Sequence, residues 1–144
     1  MKSKLLKEGI RTISDIISGK DIKINYMYIE YKTLEYSETI AKEDKDIEYF
    51  NTLKEIPGCG YIRVPIQTSF VDNDNNVQFI ASINADMCDH IISGSSMFTE
   101  ATLAAGFESY ATKDKFISSS IFNQPIPIVP GSIITAQVTL SFGD

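Results

Sequence analysis

From Ser132 to Phe142 the sequence alternates between apolar and polar residues, and that pattern limits the fold more than any other feature. Ile134, Ala136, Val138, Leu140 and Phe142 take one parity, and Thr135, Gln137, Thr139 and Ser141 take the other. A period of two means a β-strand with one buried face and one wet face. Just before it, Pro125, Pro127, Pro130 and Gly131 break up the chain. Proline cannot donate to a sheet ladder, so these residues predict a crossing that delivers one long strand into a packed sheet. Nothing in this stretch is catalytic in character.

The period changes at the other end of the chain. Leu5, Leu6, Ile10, Ile13, Ile16 and Ile17 recur at steps of three and four, with Lys4, Lys7, Glu8, Arg11 and Asp15 mostly opposite. That spacing predicts an amphipathic helix of about four turns over residues 4–18, with Ser3 as N-cap and Ser18-Gly19 as its end. The charges at Glu8, Arg11 and Asp15 interrupt the apolar run, and no small-residue cleavage site follows, which argues against a signal peptide. No apolar run approaches the roughly 20 residues that a membrane span needs.

Between these ends the period-two pattern returns repeatedly. Ile22, Ile24, Tyr26 and Tyr28 alternate with Lys23 and Asn25, predicting a strand from Ile22 to Tyr31. Residues 33–46 are polar and aperiodic and read as a loop. Asp46 to Leu53 reads as a short helix with Ile47, Phe50 and Leu53 on one side, stopped by Pro57-Gly58. A hairpin follows: Ile62 to Phe70, a turn at Asp72 to Asn76, then Val77 to Met87. Pro65 predicts an edge position or a bulge in its first strand. Residues 88–97 read as a connection. Phe98 to Phe107 could be strand or helix, and the alternation of Ala101, Leu103 and Ala105 favours a strand. Lys115 to Phe122 is a further strand. The expected fold is mainly β (α+β): one domain over residues 1–144, an antiparallel β-sandwich of about six strands over residues 22–142 with one N-terminal amphipathic helix.

Charge and composition exclude some functions. The 144 residues carry a formal net charge of −6. That opposes nucleic-acid binding, which needs a basic face. Much of the acid lies at Glu35, Glu38, Glu43, Asp44, Asp46 and Glu48, around only Lys42 and Lys45. Cys59 and Cys88 read as free thiols of a cytoplasmically made chain.

Four clusters carry residue types that chemistry could use. Asp72, Asp74 and Asn76 have the opening spacing of a calcium loop, but Val77 and Ile83 stand where glycine and glutamate are needed, so a polar hairpin tip is the better reading. Asp86, Cys88, Asp89 and His90 gather after a predicted strand. They lack the four ligands of a structural zinc and any group to orient a Cys-His nucleophile; spacing alone leaves a three-ligand catalytic zinc open, and a solvated loop is the better reading. Ser93-Gly94-Ser95-Ser96 has one glycine and no following lysine, so it is no phosphate loop. Ser118-Ser119-Ser120 lies inside a strand, suited to a wet face or a tight interface. No catalytic residue, metal site or cofactor is expected.

Aromatic placement points elsewhere. Tyr26, Tyr28 and Tyr36 share one parity and Tyr31 the other, so both faces of the first strand or its extension carry tyrosine. Aromatics are common interface anchors. Tyr26, Tyr28, Tyr31, Tyr36 and Ile40 are therefore the candidate partner-interface residues, with residues 33–46 as a mobile polar arm that orders against a partner.

The order of motifs resembles the collar-type attachment domains found at the N-termini of tailed-bacteriophage tail-fibre proteins and as small virion proteins. The likeness runs through Leu5-Leu6-Lys7-Glu8-Gly9-Ile10, the strand Ile22 to Ile29, and Tyr61-Ile62-Arg63-Val64-Pro65-Ile66. It continues in Glu100-Ala101-Thr102-Leu103 and in Phe122-Asn123-Gln124-Pro125-Ile126 to Pro130-Gly131-Ser132. It spans nearly the whole chain and is most specific over residues 114–142. The sequence departs from it in the acidic stretch Thr33 to Glu48, which stands where a Gly-rich loop is usual, and in a glycine displaced to Gly106. The resemblance implies a non-enzymatic virion protein, made in the bacterial host cytoplasm, that docks fibres or other components to the neck, tail or baseplate. Its partners would be other virion structural proteins and copies of itself in a ring-like assembly, with no nucleic acid and no membrane. The family contributes no active-site residue. Two other readings stay open: a small ligand- or carbohydrate-binding sandwich using Tyr28, Tyr31 and Tyr110, and a hydrolase built on Cys88 and His90.

Overall fold

A computed structural model describes residues 2–33, 45–88, 96–106 and 113–141. Along the chain these form β1 (Lys2–Leu5), α1 (Lys7–Ile17), β2 (Ile24–Thr33), α2 (Ile47–Glu55), β3 (Cys59–Pro65), β4 (Thr68–Val71), β5 (Val77–Asn84), a 3-10 turn (Ala85–Met87), β6 (Ser96–Ala105), β7 (Lys115–Pro127) and β8 (Ile133–Leu140). Two antiparallel sheets face each other. One has five strands in the order β1-β7-β6-β2-β3, and the other has three in the order β4-β5-β8. The fold is mainly β and sandwich-like, with eight described strands where the sequence predicts about six. None of the described helices is long and apolar enough to cross a membrane.

The two additional strands have separate causes. Residues 2–5 do not open the helix. They pair with β7 from Lys2↔Ile121 to Leu5↔Ser118, and the Leu6 amide donates to the Ile117 carbonyl at 2.9 Å. Ser3 is accordingly no N-cap, and its hydroxyl bonds to that of Ser120. The helix starts at Lys7 without a side-chain cap. Strand pairing has taken residues that the helical spacing claimed.

The second addition comes from the predicted strand 62–70, which splits after Pro65. The Ile66 amide donates to Asn25 O in the large sheet, while the next amide, Gln67, donates to Ile80 O in the small one. One peptide step therefore hands the chain between sheets, at the point where proline cannot extend the β2–β3 ladder. Strand β7 also runs further than predicted, carrying Pro125 and Pro127 inside it. Its pairing with β1 ends at Ile121, so both prolines lie where β7 has only β6 beside it. The crossing proper is 128–132, where Gly131 takes φ +79°.

Two apolar cores result. Between the sheets, Met27, Ile29, Ile62, Val64, Leu103 and Ile117 meet Phe79, Ala81, Ile83, Ala136, Val138 and Leu140. Strand β8 buries the parity its sequence assigned inward. On the outer face of the large sheet, Tyr26, Tyr28, Ala104 and Phe116 are covered by Tyr49, Phe50 and Leu53 of α2. Asp46, where the short helix was expected to begin, caps α2 by accepting the Tyr49 amide at 2.8 Å.

Helix α1 lies on β7 through a glycine. A Cβ at Gly9 would overlap the backbone of Ile117, which cannot move without disturbing the sheet. Gly9→Ala should therefore destabilise the domain by about 1–3 kcal/mol through overpacking, despite alanine's better helix propensity. Urea unfolding of the two proteins measures this; an unchanged or raised midpoint would contradict the packing.

Candidate functional site

The structure brings ionisable groups together on the outer face of the large sheet, beneath α2. Alternation on β2 aims Tyr26, Tyr28 and Glu30 to this side. Cross-strand register then fixes their neighbours: Tyr28 opposes Arg63 on β3 and Thr102 on β6, and Glu30 opposes Tyr61 and Glu100. Two buried polar groups form on this grid.

The first is centred on Asp114, just before β7, whose side chain has no exposure. Arg63 donates to it through Nε at 2.7 Å and Nη2 at 3.1 Å, and the Tyr28 hydroxyl donates at 2.5 Å. The paired N–H donors of the guanidinium match the two carboxylate oxygens. The same guanidinium lies 3.5 Å from the centre of the Tyr26 ring, a cation–π contact. Burial, and then the bond to Asp114, push the Tyr28 hydroxyl well above the usual tyrosine range. It remains a protonated donor. Phe50 completes the group as a ring hub, with centroids 4.7 Å from Tyr28, 5.0 Å from Tyr61 and 5.1 Å from Phe116.

The second group sits one alternation along. Glu30 and Glu100 face each other directly across β2 and β6, an arrangement that is repulsive when both are charged. The Lys45 ammonium bonds to both carboxylates, and the Tyr49 hydroxyl donates to Glu30 at 2.5 Å. Lys45 thus fastens the entry of α2 to the sheet. Burial raises the Glu30 carboxyl above its ordinary value of 4.5; the Glu100 charge adds to the rise and Lys45 opposes it.

These placements revise the interface reading. Tyr26, Tyr28 and Tyr31 are 9%, 0% and 6% exposed, so all three are spent on packing inside the domain and none is available to anchor a partner. Two tyrosine-bearing faces need no external cover because the second sheet lies on one and α2 on the other. The same burial removes Tyr28 and Tyr31 from a carbohydrate platform. Tyr36, Ile40 and Tyr110 lie outside the described residues. Of the arm expected over residues 33–46, Thr33 belongs to β2, with its hydroxyl bonded to Ser96, Lys45 and Asp46 belong to the site and the α2 cap, and the rest lies outside the described residues.

The structure also places residues of the chemical clusters. Asp72 spends its carboxylate on the hairpin, accepting from the Asp74 and Asn76 amides at 2.9 and 3.0 Å and from Gln78 at 2.7 Å. The Gln78 bond, followed by those amide bonds, holds that carboxyl below the usual range. Cys59 and Cys88 are not joined in a disulfide, and Cys88 is buried; Asp89 and His90 lie outside the described residues. Among the described residues no three His, Cys, Asp or Glu side chains gather to hold a metal. Ser118, Ser119 and Ser120 are all buried, so they serve tight packing rather than a wet face.

The sequence contains a signal for this site. Glu30 continues the parity of Tyr26 and Tyr28, placing an acid on a face otherwise aromatic. A charge on a buried parity demands a partner. That partner, Lys45, is 15 residues away. Comparison of the chain with protein-family models, with curated proteins and with solved structures returned no match.

Removing Lys45 leaves two opposed carboxylates with no cation between them. A carboxyl whose folded-state pKa is raised above its unfolded value adds stability below the unfolded value and loses it as pH rises through the folded one. Lys45→Met should cost about 3–5 kcal/mol near pH 7.5 and clearly less near pH 5, where Glu30, with its raised carboxyl, takes up a proton more readily. Urea unfolding of both proteins at the two pH values measures this, and an equal cost at both would contradict the assignment.

Proposed function

We propose that this chain is a non-enzymatic structural protein of a tailed-bacteriophage virion, an adaptor that docks fibres or other components to the neck, tail or baseplate. One observation carries the reading: the interior charge is spent on architecture. Arg63 and Asp114 tie β3 to the start of β7. Lys45 ties the start of α2 to β2 and β6. Each ion pair joins segments distant in sequence, which suits a part that must hold its shape under load.

The motif-bearing segment supports the same reading. Residues 114–142, where the resemblance to attachment domains is most specific, supply β7 to one sheet and β8 to the other. The Pro130-Gly131-Ser132 element is the crossing between them, with the Gly131 amide held by Asp86 at 3.1 Å. That segment staples the sandwich, and the adaptor role asks for such rigidity.

Mass spectrometry of gradient-purified virions from the source tests the proposal. The chain should be present at a fixed ratio to the major capsid protein and should stay with the particle through salt washing. Recovery of the chain only in the soluble fraction of the lysate would overturn it.

A further inference from the structure

We infer that the free edge of β8 is a pairing surface for a second copy of this chain, joining two three-stranded sheets into one of six strands across a two-fold axis. Among the described residues, the four strands that end the two sheets differ in how they are protected. Strand β1 has four residues, two of them Lys2 and Lys4. Strand β3 carries Arg63, ends in Pro65 and has α2 laid against it. Strand β4 has four residues. Short length, lysine, proline and a covering helix are the usual means of keeping an edge from pairing.

Strand β8 has none of these features. It runs eight residues, Ile-Ile-Thr-Ala-Gln-Val-Thr-Leu, without a charge, a proline or a glycine. Its ladder with β5 is regular from Val77↔Leu140 to Asn84↔Ile133, with no bulge to twist the edge away. Alternate backbone N–H and C=O groups along its other side point away from β5, and no strand lies beside them among the described residues. Exposed Val129 and Ile133, at 56% and 72%, add apolar surface where the strand begins.

Charge selects the occupant. The chain carries −6, so its copies repel one another overall. This strand, with no charged residue, sets no like charges opposite each other when it meets itself. Symmetry also permits the pairing. A two-fold normal to the sheet makes the strands antiparallel and keeps each face on its own side, so residues of like parity oppose. Centred on Gln137, the register sets Thr135 against Thr139 on the wet face, and Ile134 against Leu140 and Ala136 against Val138 on the core face. Centred on Ala136, it sets Thr135 against Gln137. The contact is isologous and closes on itself.

This inference deepens the assembly reading by naming a surface for self-association. Its test uses the isolated chain, so pairing and virion incorporation succeed or fail separately. Thr135→Lys/Gln137→Lys places lysines opposite each other in either register, and Thr135→Glu/Gln137→Glu does the same with acids. Both positions are exposed, and Gln137 gives up only a bond to Gln78, so circular dichroism and melting checked at dilution should match the wild type. Sedimentation equilibrium should find a reversible wild-type dimer, each variant alone weaker by at least about tenfold, and recovery when the two variants are mixed. A wild-type chain that stays monomeric from micromolar to millimolar, variants as tight as the wild type, or a mixture that does not recover would each overturn the inference.

Discussion

Strand β2 must be covered on both faces, and the rest of the molecule follows from that requirement. It carries Tyr26, Tyr28 and Glu30 to one side and Met27 and Ile29 to the other, all nearly or fully buried. A sheet with one wet face cannot hold such a strand. The chain meets the requirement with two different covers: the three-stranded sheet over one side and helix α2 over the other. Strand β2 lies within the large sheet between β6 and β3, so its ladder is paired on both sides as well.

The outer cover involves charge as well as ring packing. Burying Tyr28 and Glu30 beside Arg63 and Glu100 brings ionisable groups out of water, which is costly unless each finds a partner. Asp114 and Lys45 answer that need from opposite directions, one from the entry to β7 and one from the entry to α2. Each pairing is local in space and remote in sequence, so each ties together segments that the chain order keeps apart. Two hydroxyls escape the scheme: Thr102 Oγ1 and Ser118 Oγ are buried without a partner among the described residues.

Periodicity made the two-sheet plan legible and left its edges illegible. The inward parity of β8, the hairpin at Asp72 to Asn76 and the strand reading of residues 98–105 could be read because each is a local pattern with a local cause. Strand β1 could not, because Leu5 and Leu6 fit the helical spacing, and only the presence of β7 beside them makes a strand. The break after Pro65 was visible as a proline, but the change of sheet depends on where Ile80 and Asn25 lie. The site failed to emerge for a similar reason: tyrosine on two faces suggests a missing partner, and here the partner is another part of the same chain. The cue that would have found it was Glu30, an acid on the tyrosine parity.

Hydrogen exchange resolved by residue tests the double cover of β2 most directly. If both covers are needed, the amides from Met27 to Ile29 should exchange only through global unfolding, with the same free energy as denaturant unfolding and more slowly than those of β4 or β8. Exchange of these β2 amides as fast as those of β4, while the β5 amides stay protected, would contradict the account.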